Sequence, residues 1–181
     1  MKKAIRTMIV ILTAGFMLMA FAACEEKKDD TGKDDAANTE IIMKAVFENI
    51  TSSDRYIEWK QMNPEATIQE KLDGNTITFT VESSIDTDSI KEEDVTNDMP
   101  VSSGEYVFTF DGDYIVYKAQ DAKRTSNPFS TYILIAICDY YGMNWVTANE
   151  YIVAHPDNTY YIIDTDANTI KIYAVNNWKM D

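Results

Sequence analysis

A short turn phrase occurs three times along the chain and constrains the fold more than any other feature. Its copies span 72–79, 110–117 and 165–172, and each places a turn between two runs of β-forming residues. Asp73-Gly74 and Asp111-Gly112 suit a tight hairpin turn because its residues take positive φ, and in the third copy Asn168 has to take that conformation. We therefore predict antiparallel hairpins of strands 66–72 with 76–82, 105–110 with 114–119, and 159–164 with 169–175. An internal repeat and convergent turn chemistry explain the phrase equally well.

Side-chain alternation indicates how these strands are covered. Ile77, Phe79 and Val81 point to one face and the intervening threonines to the other, so this strand is predicted to have one wet face. Residues 114–117 and 160–163 are apolar on both sides. That pattern is typical of central strands covered by helix.

Two helices are predicted before the first hairpin in the sequence. Apolar residues at three- and four-residue steps predict an amphipathic helix over 40–50 with Thr39 as its cap. A short second helix within 52–62 ends at Asn63-Pro64.

An apolar helix is predicted from Asn127 to about Tyr141. Asn127 is its cap, Pro128 its first helical residue and Gly142 its stop. Residues 147–155 fit either a helix, with Thr147 and Glu150 as a capping box, or a strand.

These elements predict an α+β fold. Antiparallel β-hairpins form a sheet, with an N-terminal amphipathic helix and one apolar helix packed on it, in a single domain over 39–181. The acidic stretch 82–104 is predicted to be an exposed connection between hairpins.

The N-terminus has the layout of a secretory signal. A basic start (Lys2, Lys3 and Arg6) precedes an apolar run over 8–20 and small residues before Cys24. The uncharged stretch 7–23 is at the short limit of the roughly 20 residues that a spanning helix needs.

The segment Phe21-Ala22-Ala23-Cys24 resembles the lipobox of bacterial lipoproteins, with Phe21 where Leu is more usual. The resemblance implies that residues 1–23 are a signal peptide and that Cys24 carries the lipid attachment. It also implies residence at the extracytoplasmic face of a bacterial membrane. Residues 24–38 are charged and small, without a large apolar side chain, so they are predicted to be a flexible tether.

The net charge of the chain limits the classes of partner that can be expected. The formal net charge is −14, and removal of Lys2, Lys3 and Arg6 with the signal takes it to −17. Nucleic acid and anionic lipid both attract basic surfaces, so neither is an expected partner, and the lipid on Cys24 is expected to supply the membrane affinity. Cys138 lies in an apolar run and is predicted to be a core thiol.

No metal or cofactor site is predicted. Asp164, Asp166 and Asn168 have the spacing of calcium-loop ligands, but Thr169 and Val175 occupy the positions of the required Gly and acid, so a hairpin turn is favoured. The single histidine, His155, precedes a turn and is predicted to be solvated.

The abundant aromatic residues include candidates for ligand contact. Most are expected to fill the core, while Tyr141, Trp145 and Trp178, near predicted element ends, are candidate ligand contacts. We therefore expect a non-catalytic module that binds a protein, a glycan or a small molecule. The alternative is a cell-envelope hydrolase using paired carboxylates, which have no fixed spacing in sequence.

Overall fold

The computed structural model describes residues 35–84, 101–120 and 127–180, with side chains from Asn38 onward. Four helices and six strands lie in these ranges and confirm the predicted α+β class. In chain order they are α1 (Asp35–Ser52), α2 (Asp54–Met62), β1 (Ala66–Asp73), β2 (Thr76–Ser83), β3 (Gly104–Asp111), β4 (Tyr114–Lys118), α3 (Pro128–Tyr140), α4 (Trp145–Ala154), β5 (Tyr161–Asp164) and β6 (Thr169–Tyr173).

The six strands form one antiparallel sheet in the order β1-β2-β3-β4-β6-β5. The predicted hairpins are the pairs β1–β2, β3–β4 and β5–β6. The last hairpin joins the sheet through β6, which pairs with β4. β5 is consequently an edge strand of the described sheet, and the prediction of a central strand over 160–163 is wrong. Ile163 is 42% exposed there, and Tyr160 is covered by the ring of Trp178 instead of by a helix.

Each hairpin turn has positive φ at one residue where its sequence predicted it. The φ angle is +56° at Gly74, +60° at Gly112 and +53° at Asn168. Asp73 and Asp111 do not share this conformation, because they end β1 and β3 as paired strand residues. In the third turn the Asp164 Oδ1 atom accepts hydrogen bonds from the backbone N–H groups of Asp166 (3.0 Å) and residue 167 (2.9 Å). This carboxylate therefore organises the turn, in agreement with the hairpin interpretation of 164–168.

The core lies between one face of the sheet and the helices. The inward side chains of β2, β3, β4 and β6 are buried: Ile77, Phe79, Val81, Tyr106, Phe108, Phe110, Ile115, Tyr117, Ile170 and Ile172. Phe129 of α3 stacks on Phe79, with ring centroids 4.3 Å apart. The Asn49 side-chain amide of α1 donates to the carbonyl of Ala136 in α3 (3.2 Å). The helix pair is thus fixed over the inward face, while β2 turns its threonines away from it, as predicted.

The first helix is longer than its sequence pattern indicated. It begins at Asp35, so Thr39 lies inside α1 and is not its cap. The predicted short second helix is confirmed by α2. No helix of the described ranges is long and apolar enough to cross a membrane.

The later helices show how local capping sets their limits. Asn127 caps α3 as predicted, its side-chain oxygen accepting from the Ser130 N–H (3.0 Å), and Gly142 follows with φ of +66°. Residues 147–155 belong to a helix, α4, up to Ala154. Its cap is Asn144, whose side-chain oxygen accepts from the Val146 N–H (2.9 Å), so the helix starts before the proposed capping box.

Several predicted segments lie outside the described residues: the signal peptide 1–23, residues 24–34 of the tether predicted over 24–38, and positions 85–100 of the acidic connection. Residues 35–38 of that predicted tether belong to α1 instead. The returning end of that connection is described. Val101 is only 4% exposed and belongs to the core, so the stretch 82–104 is not exposed throughout. The Ser103 hydroxyl donates to the Ser83 carbonyl (3.1 Å) and accepts from the Ser83 N–H (2.9 Å), which joins the two ends.

Candidate functional site

Six aromatic side chains form a continuous row at the surface beside β4 and β6. We call this row the aromatic strip; it comprises Tyr114, Tyr173, Tyr160, Trp178, Tyr151 and His155. Five of the side chains are half-buried and His155 is exposed. None is among the fully buried core residues, although Trp178 packs against that core, so the strip is a partly buried aromatic cluster at the edge of the core.

Strand register creates the first part of the strip. Tyr114 of β4 pairs with Tyr173 of β6, and both point away from the helices, with ring centroids 5.3 Å apart. The Tyr173 N–H donates to the carbonyl of Tyr160 (2.8 Å), which places the Tyr160 ring 5.7 Å from that of Tyr173. Three tyrosines from distant parts of the sequence therefore become neighbours through backbone pairing alone.

The end of α4 extends the strip. The Tyr151 ring lies 5.9 Å from that of Tyr160 and stacks on His155 at 4.1 Å. The Nδ1 atom of His155 lies 2.9 Å from the Tyr151 carbonyl oxygen at the helix C-terminus. His155 is exposed, as the turn sequence predicted, and its contacts make it part of the helix end.

The C-terminal segment closes the strip from the other side. Trp178 stacks on Tyr160 with centroids 4.4 Å apart and an interplanar angle of 11°. The Tyr160 hydroxyl accepts from the Lys179 N–H (2.6 Å) and lies 3.1 Å from the Lys179 carbonyl, to which it can donate. The Trp178 Nε1–H group is shielded from solvent and has no acceptor among the described residues. The segment 176–180 is therefore held by this ring stack, by the Tyr160 hydroxyl and by packing of Trp178 and Met180 against the core.

The phenol of Tyr173 is less acidic than that of a free tyrosine. Burial raises the pKa of Tyr173, and Asp113, Tyr114 and Tyr160 raise it further, against a hydrogen-bonding contribution of Asn177 that lowers it. A neutral phenol can both donate and accept hydrogen bonds.

The three candidate contacts predicted from sequence are distributed over different surroundings. Trp178 belongs to the strip. Tyr141 borders it: its hydroxyl donates to the Ala174 carbonyl (2.9 Å), and burial, with Tyr140 and Tyr173 nearby, raises its pKa to about 12. Trp145 has no described ring contact with the strip and instead lies under the guanidinium of Arg55, at 4.5 Å.

Sequence reasoning missed five of the six strip residues as a site. Tyr114 and Tyr173 could have been paired from the hairpin registers, had the β4–β6 pairing been known. Tyr151, His155 and Tyr160 carried no local signal, because their rings meet only where the end of α4 reaches the start of β5.

A second polar surface surrounds Arg55 of α2. Burial raises the pKa of Asp139, and the nearby Arg55 opposes this rise. Burial also raises the pKa of Tyr132, again opposed by Arg55. A hydrolase with paired carboxylates would need a second acid beside a desolvated one. The charge found to act on Asp139 is the guanidinium of Arg55, so this surface lends that alternative no support.

The other reactive groups of the described residues have structural roles. Cys138 is fully buried, as predicted, and burial followed by Asp139 raises its pKa to about 12. The Glu70 carboxylate accepts from the Tyr56 hydroxyl (2.9 Å) and from Lys60 Nζ (2.7 Å). Within the described ranges no three His, Cys, Asp or Glu side chains come together as a metal site would require.

Comparison of the chain with protein-family models, curated proteins and solved structures gave no match.

Proposed function

We propose that the chain is a membrane-anchored extracytoplasmic lipoprotein whose folded domain is a non-catalytic binding module. Cys24 carries the lipid, and the aromatic strip is the contact surface for the ligand. The strip carries this proposal: it places a row of large amphipathic rings at the surface, where such rings supply contact area at low conformational cost.

The strip is a better candidate than the other aromatic clusters because its rings are only partly buried. Phe79, Phe108, Tyr106, Tyr117 and Phe129 also form a network of ring contacts, yet all five are buried and serve packing. The strip rings are partly open to solvent, so a ligand can reach them.

Anchoring and binding are compatible in this arrangement. An extended chain spans at most about 3.3–3.6 Å per residue, so the eleven residues before the start of α1 at Asp35, counted from Cys24, limit the distance between anchor and domain to at most about 40 Å. This length lets the domain turn its strip toward ligands at or above the membrane surface.

The anchor is tested by mass spectrometry and fractionation of the expressed chain. We expect the mature N-terminal residue to be an acylated Cys24 and the protein to be extracted from membranes only by detergent. The Cys24→Ser chain is the control and should lack the acyl mass. A Cys24 without the acyl mass would refute the lipid attachment, whether the chain is cleaved elsewhere or held at the membrane by other means.

The contact surface is tested by substituting strip residues without disturbing the sheet. Tyr114→Thr and Tyr173→Thr keep a β-forming residue at each position. Tyr140→Ala, at an exposed tyrosine of α3 outside the strip, is the matched control. Neutral oligosaccharides and oligolysine are titrated against each variant, with intrinsic fluorescence as the signal. Binding of either probe that the strip variants lose and the control keeps supports the module, whereas no binding by either probe would refute it.

A further inference from the structure

We infer that the aromatic strip binds a neutral glycan chain, whose successive sugar units lie against the exposed edges and faces of successive rings. The inference rests on the proposed function, because it names the ligand class for the same surface. Three observations carry it: the spacing of the rings, the balance of charges around them, and their depth in the surface.

Ring spacing suits a polymer of small cyclic units. Along the strip the centroids follow one another at 5.3 Å from Tyr114 to Tyr173, 5.7 Å to Tyr160 and 5.9 Å to Tyr151. These steps are close to the length of one pyranose unit in an extended glycan. Neighbouring rings are tilted against one another by 65°, 54° and 53°, so a chain that follows the row meets ring edges as well as ring faces. A compact small molecule would cover only one or two of these rings.

Charges of both signs border the strip, although the chain as a whole has a formal charge of −14. Exposed Asp113, Glu150 and Asp157, and exposed Lys171 and Lys179, lie within two residues of strip members along the chain. No guanidinium contacts the strip rings among the described residues. A polyanion would need a basic patch, and a polycation would need an excess of carboxylates at the contact. A border of mixed sign favours a neutral ligand over both.

The polar groups of the strip match hydroxyl-rich ligands. The rings carry phenol hydroxyls, and the neutral amide of Asn177 lies near enough to Tyr173 to lower the pKa of its phenol. Asn176, next to it, is exposed. Neutral hydroxyls and amides both donate and accept hydrogen bonds, as sugar hydroxyls do. Apolar ring faces bordered by such groups are typical of sites that hold a ligand by stacking and orient it by hydrogen bonds.

The depth of the rings argues against insertion into a bilayer. The large apolar side chains that protrude from the described surface include Ile41, Met62 and Val153, and no member of the strip is among them. Interfacial binding requires apolar groups to enter the lipid by about 5–10 Å. Half-buried rings that stack on one another present a surface to a ligand but do not penetrate the membrane.

The test uses the full chain reconstituted in phosphatidylcholine vesicles, and a chain that does not associate with vesicles is titrated in solution. The probes are soluble oligosaccharides of α-linked glucose, of β-linked glucose and of N-acetylglucosamine. We expect saturable binding that alters the emission of Trp178 and changes less than about twofold between low and high salt. Tyr114→Thr and Tyr173→Thr should each weaken binding by about tenfold, which is 1.4 kcal/mol. Tyr140→Ala should leave it unchanged, and melting curves verify the fold of each variant.

Other results would overturn the glycan assignment. Absence of binding for every saccharide, or equal binding by the strip variants and the control, excludes it. If oligolysine binds and its binding weakens steeply with salt, the proposed binding module stands but its ligand is a cationic peptide. Quenching of Trp178 by brominated lipid, lost in Trp178→Phe, would assign the strip to the membrane. Failure of both saccharides and oligolysine would overturn the proposed contact surface together with its ligand class.

Discussion

Replacing Glu70 should destabilise the domain by much more than an ordinary surface substitution. Its carboxylate joins α2 to β1 by accepting from the Tyr56 hydroxyl and from Lys60 Nζ. Tyr56 is fully buried, so Glu70→Ala leaves its hydroxyl without this acceptor, at a cost of about 1–3 kcal/mol. The Lys60 and Glu70 side chains are 33% and 17% exposed, and loss of their ion pair adds up to about 1 kcal/mol. We therefore expect a total loss of about 1–4 kcal/mol.

Urea unfolding followed by tryptophan fluorescence measures this loss, because Trp59 stacks near Tyr56 at 5.9 Å. Glu70→Gln keeps an acceptor for the hydroxyl and should lose only about 1 kcal/mol. Tyr56→Phe should cost about 1 kcal/mol in the wild-type chain and much less in the Glu70→Ala background. A loss below about 1 kcal/mol for Glu70→Ala, or an equal cost of Tyr56→Phe in both backgrounds, would refute the role assigned to this contact.

Three further outcomes follow from local features. Burial raises the pKa of Tyr141 and Tyr161 from 10.0 to about 12. The stability that these neutral phenols contribute is therefore complete below pH 10 and is lost as the pH rises toward 12. Melting temperatures measured over this alkaline range should decline, and a series without this decline contradicts the burial of the two side chains. Gly112→Ala has room for its methyl group but keeps φ at +60°, so it should cost about 1–2 kcal/mol in urea unfolding, and a neutral effect would show that the turn relaxes. In the Cys24→Ser chain, Cys138 should react with a thiol reagent only on unfolding, and rapid labelling of the native protein would contradict its burial.

The hairpins show how far local chemistry predicts this fold. Gly74, Gly112 and Asn168 take positive φ, where the turn phrase placed them, and Asn127 caps α3. These features depend on residues a few positions apart, so their preferences appear directly in the sequence. The start of α4 was missed because Thr147 and Glu150 offered a capping box, while Asn144 had the stronger position with two backbone N–H groups within reach.

The sheet edge shows where sequence reasoning stopped. Residues 160–163 look like a covered central strand, yet β5 pairs only with β6 among the described strands. Apolar character indicates that a residue is covered but not what covers it, because the hydrophobic effect is not directional. Here the ring of Trp178, far along the chain, covers Tyr160.

The candidate site depended on tertiary structure for the same reason. Trp178 was singled out from its position near an element end, but its neighbours Tyr114, Tyr151 and Tyr173 come from three different elements. Their rings meet because β4 pairs with β6 and because α4 ends beside the start of β5. The sequence by itself determined the hairpins, their turns and the α+β class, since turn and capping preferences act between near neighbours. Only the tertiary structure decided the strand order and the aromatic strip, since these follow from burying one shared core beneath the helices.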